Sequence, residues 1–150
     1  MDDIQFLMET CKVPPFKFTG SRLERDGATR WYKDGKKHRE DGPAVIYKDP
    51  REFCWFYEGQ LHRDGGPASV YFQGPTCWHY TWFKHGFIHR EDGPAQIIGD
   101  YESWWCYGQE LTSIEHWAKI MLRYKNLPED PDSIQNYIRP ILQKLTQDLL

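Results

Sequence analysis

The stretch "WYKDGKKHREDGPA" at residues 31–44 returns as "WFYEGQLHRDGGPA" at 55–68 and as "WFKHGFIHREDGPA" at 82–95. All three read W-x3-G-x2-H-R-x2-G-P-A, with thirteen positions from Trp to Ala each time. Self-similarity of this kind marks tandem supersecondary units that stack on one another because none can bury its apolar face alone. A truncated fourth unit, "WWCYGQEL" at 104–111, keeps Trp104 and Gly108, and "LERDGA" at 23–28 reads as a degenerate leading copy. The spacing from each Ala to the next Trp varies: eleven from Ala44 to Trp55, fourteen from Ala68 to Trp82, nine from Ala95 to Trp104. One edge of the array is therefore constant and the other variable.

The breakers set the shape of a unit. After each Gly-Pro come β-branched and aromatic runs, "AVIYK", "ASVYF" and "AQII", and the returning segments "CWFYE", "YTWFK" and "SWWCY" are equally strand-like. Each unit is expected to be one β-hairpin. Alternation puts Ala44, Ile46, Ala68, Val70, Ala95 and Ile97 on one face, and Val45, Tyr47, Ser69, Tyr71, Gln96 and Ile98 on the other. The returning strands are aromatic on both sides. Such a sheet is covered on both faces, closed on itself, or left with an aromatic strip that binds something.

The HRxDGP segment joins one hairpin to the next. Gly42 and Gly93 are expected at positive φ, since Asp-Gly and Gly-Pro are turn dipeptides. Arg39 with Asp41, and Arg90 with Asp92, form pairs that tie the loop to the sheet. The middle copy carries Gly65 in place of Asp, which leaves Asp64 as the expected partner of Arg63. His38, His62 and His89 share a register and form a ladder. We read these residues first as loop-fixing hydrogen bonders, repeated because the fold repeats; the alternative makes His38, Arg39, His62, Arg63, His89 and Arg90 a row of ligands for a small anionic group.

The tandem W-x3-G-x2-HRxDGPA string, ended by "GQELTSIEHW", resembles a repeat family widespread in bacteriophages and large DNA viruses, whose arrays close on a G-x-E-L-T segment entering a helix. It is similar in outline to MORN repeats, which are also β-hairpin units with aromatic and Gly landmarks. The resemblance covers residues 31 to about 117. It implies a virus-encoded, sheet-forming protein with no catalytic residues to carry over. The MORN arrangement Y-x-G-x-W is absent, so the membrane association attributed to some MORN proteins is not carried over.

The ends are of another kind. "LTSIEHWAKIMLRYKN" opens with an expected capping box from Thr112 to Glu115, followed by an apolar stripe of Ile114, Trp117, Ala118, Met121 and Leu122. After "NLPEDP", Asp132 is the expected cap of a second helix carrying Ile134, Tyr137, Ile138, Ile141, Leu142, Leu145 and Leu149, which Pro140 should kink or divide near Arg139. "DDIQFLMETC" suggests a short N-terminal helix. The organisation expected is an N-terminal segment at 1–20, a hairpin array at 21–111 and a helical cap at 112–150. The fold class is mainly β, as a MORN-like sheet or solenoid of antiparallel hairpins with C-terminal capping helices.

Composition narrows the function classes. A formal net charge of -3 disfavours nonspecific nucleic-acid binding. No apolar run approaches a bilayer span and the first residues are acidic, so no membrane attachment and a cytoplasmic location, that of the host if virus-encoded, are expected. Four cysteines without a CxxC pair suggest reduced thiols and no metal site. Hydrolase, zinc-protease and nucleotide-binding signatures are missing, and neither enzyme activity nor a cofactor is expected.

Three functions stay open: a phage protein that binds and inhibits or redirects a host bacterial protein, a small-ligand or nucleotide-signal binder using the His/Arg register, and a carbohydrate or cell-wall module. For a protein partner the candidate edge is the longest connection, "SVYFQGPTCWHYT" at 69–81, with Trp78, His79 and Tyr80, joined by Arg51 of "KDPREF". Its aromatic content exceeds what a solvent loop needs. Alternatively, Trp78 and Tyr80 extend the returning strand and pack inward.

Overall fold

A computed structural model describes residues 17–48 and 52–148 of the chain. The short helix expected in "DDIQFLMETC" lies outside these residues, as does Arg51. The described chain is mainly β. It has fourteen strands and two helices: β1 (Gly20–Leu23), β2 (Thr29–Lys33), β3 (Lys36–Lys37), β4 (Val45–Ile46), β5 (Glu52–Cys54), β6 (Phe56–Tyr57), β7 (Gln60–Leu61), β8 (Ser69–Gln73), β9 (Cys77–Thr81), β10 (Phe83–Lys84), β11 (Phe87–Ile88), β12 (Gln96–Ile98), β13 (Tyr101–Cys106), β14 (Gln109–Leu111), α1 (Ile114–Tyr124) and α2 (Pro131–Asp148).

A ten-stranded antiparallel sheet runs in the order β1-β2-β4-β5-β8-β9-β12-β13-β14, with β3 on β2; β6-β7 and β10-β11 form separate two-stranded pairs. Each unit thus uses two hairpins where one was expected. The returning strand stops at Trp55 and again at Trp82, and a second, smaller hairpin follows. The N–H groups of Trp31, Trp55 and Trp82 donate to the carbonyls of Ala44, Ala68 and Ala95 at 2.7–2.8 Å, while the Trp carbonyls accept from the N–H groups of His38, His62 and His89 at 3.0–3.1 Å. These bonds close each Trp-to-Ala loop; Trp31 makes the same pair and stays within β2, opposite Ser21, so they do not by themselves end a strand.

The small hairpins turn on Asp34-Gly35, Glu58-Gly59, His85-Gly86 and Tyr107-Gly108, with both residues at positive φ in every case. That is the type I′ geometry, whose twist matches a two-residue hairpin. Glycine at the second position accepts φ of 78–85° without a Cβ penalty.

Residues opposed across the ladder share a face. Thr29, Ile46, Phe53, Val70, Tyr80, Ile97 and Glu102 form one row, with Phe72 and Trp78 beside it. The opposite face carries Arg30, Val45, Cys54, Ser69, Thr81, Gln96 and Ser103. A small core joins Ala28, Val45 and Cys54 to Tyr47, Phe56 and Leu61.

The helices build a second core. Trp117 is 0% exposed and packs with Cys106, Leu111, Ala118, Met121 and Ile138. The cap of α1 is Ser113, whose hydroxyl accepts from the His116 N–H at 3.1 Å; Thr112 does not hold that place. The cap of α2 is Asp130, which accepts from the Ser133 N–H at 3.0 Å, with Pro131 as the first helical residue, in place of the expected Asp132. Proline at the first helical position gives up an N–H that has no helical partner anyway. Nor is α2 divided at Pro140, which lies inside one continuous helix. Among the described residues no helix is long and apolar enough to cross a membrane.

Candidate functional site

The HRxDGPA loops have one construction. The guanidiniums of Arg39, Arg63 and Arg90 lie over the rings of Trp31, Trp55 and Trp82 at 4.2, 4.0 and 4.0 Å. Each donates through Nη1 to the carbonyl of its own loop proline, Pro43, Pro67 or Pro94, at 3.1–3.2 Å. The other side of each guanidinium is roofed by the glycine before that proline. A Cβ on Gly42, Gly66 or Gly93 would lie 3.1, 2.9 or 2.7 Å from the Arg Cζ.

This corrects the turn argument for glycine. Neither Gly42 nor Gly93 takes a positive φ. Glycine is favoured because the guanidinium over the indole crowds this position: a Cβ on Gly93 would displace Arg90, and one on Gly42 would press on Arg39.

The histidines splice consecutive units. The Nδ1 atoms of His38, His62 and His89 accept from the backbone N–H groups of Glu58, His85 and Tyr107, the first turn residues of the next small hairpin, at 3.1, 3.1 and 3.2 Å. His38 lies against Tyr57 at 4.6 Å, His62 stacks on His85 at 4.2 Å, and His89 stacks on Tyr107 at 4.0 Å. An acceptor Nδ1 places the ring proton on Nε2, which faces Glu40, Asp64 or Glu91 at 3.2, 3.5 and 3.3 Å. Both ring nitrogens of His38 and His89 are thus hydrogen-bonded within the chain, whereas His62 Nε2 only lies near Asp64. The stacking partners Tyr57, His85 and Tyr107 were missed in the sequence, where only their place at or beside the second-hairpin turns marks them.

The copies differ at the arginine. Arg39 Nε donates to Asp41 and Arg90 Nε to Asp92, both at 2.7 Å. Arg63 has no carboxylate partner among the described residues, because Asp64 is turned to His62 and does not pair with it as expected. Two clefts separate the loops. One of about 640 Å³ lies between Arg39, Asp41 and Gly42 of the first loop and Trp55, His62 and Arg63 of the second. The next, of about 390 Å³, lies between Arg63, Gly65 and Pro67 and the third loop, and is reached by Lys144 of α2. The third loop is itself gripped by the helices: Trp117 Nε1 donates to the Arg90 carbonyl at 3.2 Å and the Tyr137 hydroxyl to the Glu91 carbonyl at 2.9 Å.

Trp78, His79 and Tyr80 lie on strand β9 and not in a loop. They extend the returning strand, yet Trp78 stays 39% exposed. Trp78 and Tyr80 are near-parallel at 6.0 Å, with Phe72 at 4.4 Å from Trp78 and Trp82 at 6.4 Å from Tyr80. On the opposite face Tyr71 meets His79 edge-on at 5.4 Å. The β8–β9 hairpin is five residues a side, against two or three in β4–β5, so its outer half carries rings on both faces. Among the described residues no group of three or more His, Cys, Asp or Glu is placed to hold a metal ion.

Comparisons of this chain with protein-family models, with curated proteins and with solved structures find no match.

Proposed function

We propose that this chain is a non-catalytic, virus-encoded repeat protein, a stack of MORN-like β-hairpin units with a C-terminal helical cap, that binds a host protein in the host cytoplasm and inhibits or redirects it. The observation that carries this reading is the β8–β9 hairpin, where Phe72, Trp78 and Tyr80 line one face and Tyr71 and His79 the other. Aromatic rings held rigid on strands give large contact area at little entropic cost, the character of interface hot spots. The viral origin rests on the HRxDGPA string alone.

The test is capture of a partner from bacterial lysate by the intact protein, followed by affinity measurement with a Trp78→Ala, Tyr80→Ala double variant. Binding weaker by about 2 kcal/mol or more, with the melting temperature nearly unchanged, is the expected result. Unchanged affinity with a lowered melting temperature would assign both rings to folding and end this reading.

A further inference from the structure

The flanking loops supply their own anion, since Asp41 and Asp92 each sit 2.7 Å from an arginine Nε. In the middle loop the corresponding residue is Gly65, at φ +77°, and a Cβ built there meets nothing within 4 Å. Arg63 is nonetheless held as its counterparts are, over Trp55 at 4.0 Å and bonded through Nη1 to the Pro67 carbonyl at 3.2 Å. Its Nε–H and Nη2 edge, the edge a carboxylate engages side-on, makes no bond among the described residues. The cleft beside Gly65 is lined by Arg63, Lys84, Arg90 and Lys144 against three carboxylates, those of Asp64, Glu91 and Asp92. Lys84 and Arg90 are already bonded to Glu91 and Asp92, which leaves Arg63 and Lys144 against Asp64, a positive remainder.

We propose that Arg63 is a receptor for one carboxylate supplied from outside the chain, which binds beside Gly65 in the manner of Asp41 on Arg39 and Asp92 on Arg90. The site does not depend on the aromatic β8–β9 surface. A carboxylate is favoured over a phosphate because the two sister loops display the fitted ligand, a single planar carboxylate on one guanidinium edge.

The side-chain Nε–Hε resonances of Arg39, Arg63 and Arg90 give the test, titrated with sodium acetate against sodium chloride at matched ionic strength. A saturable shift of Arg63 alone is expected. A Gly65→Asp substitution, which supplies the carboxylate within the chain, abolishes the response; Asp is among the residues that tolerate a left-handed backbone. In a second variant, Arg63→Lys keeps the charge and loses the planar fork, and the amide shifts of Gly65 and Gly66 that follow acetate in the parent protein stay still. No shift at Arg63, equal shifts at all three arginines, an equal response to chloride, or saturation by inorganic phosphate at lower concentration than acetate would each overturn the proposal. An alternating Asp-Ala peptide identifies the source: saturation at about a tenth of the acetate concentration or below points to a protein carboxylate, and saturation near the acetate concentration to a free one.

Discussion

At the helical end Trp117 and Met121 are sealed among Cys106, Leu111, Ala118 and Ile138, whereas in the hairpin stack the fully sealed side chains are Ala28, Ala44, Val45, Ala68, Pro94 and Ala95. The first region is a conventional apolar core whose cohesion scales with volume buried. The second has little volume to bury and is held by directed contacts, a guanidinium clamped on each indole and a histidine spliced to each following turn. Substitutions at the helical end should therefore grade with the size of the deleted group, and substitutions in the stack with lost geometry.

The largest effect is expected from Trp117→Ala, which removes a wholly buried indole and its bond to the Arg90 carbonyl, at a cost of about 3–5 kcal/mol. Denaturant unfolding measures it; a cost no larger than that of an exposed aromatic would erase the contrast between the regions. Gly93→Val comes next, at about 1–3 kcal/mol, from overpacking against Arg90. Gly42→Val should cost less, since the added Cβ stands 3.1 Å from the Arg39 Cζ against 2.7 Å for Gly93 and Arg90. Equal losses in thermal melts would show that backbone conformation, and not the guanidinium, sets the requirement. Smaller still is Asp41→Asn or Asp92→Asn. Both carboxylates are largely exposed, so each loss should be slight and shrink further with added salt.

Acid is a gentler probe of the splice. Burial draws the His89 imidazole below its ordinary pKa near 6.5, with Glu91 pulling in the opposite direction. On lowering the pH through about 6.5 the unfolded chain takes up a proton that the folded ring resists, so stability is full above that value and declines toward the folded pKa. Protonation also removes the Nδ1 lone pair that accepts the Tyr107 N–H. His89→Asn should flatten the fall in melting temperature between about pH 7 and 5, and an unchanged slope would exclude the splice as its source.

Much of this was open to reading along the chain. The recurring W-x3-G-x2-H-R-x2-G-P-A string announced the recurring loop, alternation sorted Ile46, Val70 and Ile97 onto one face and Val45, Ser69 and Gln96 onto the other, and apolar periodicity marked both helices. These are local signals, set by backbone sterics and by the period of apolar residues. Other features depended on partners far away in sequence. Trp55 and Trp82 are bonded to Ala68 and Ala95, thirteen positions on, and the crowding at Gly42 and Gly93 comes from where Arg39 and Arg90 lie, not from their own φ. The pairing of Asp64 with His62, against the expectation of Arg63, was decided by a ring already fixed to the following unit through His85. A repeated sequence determines that its units are alike; which atoms of one unit meet the next is decided by the stacking itself, because hydrogen-bond partners and close contacts are selected by three-dimensional distance and not by spacing along the chain.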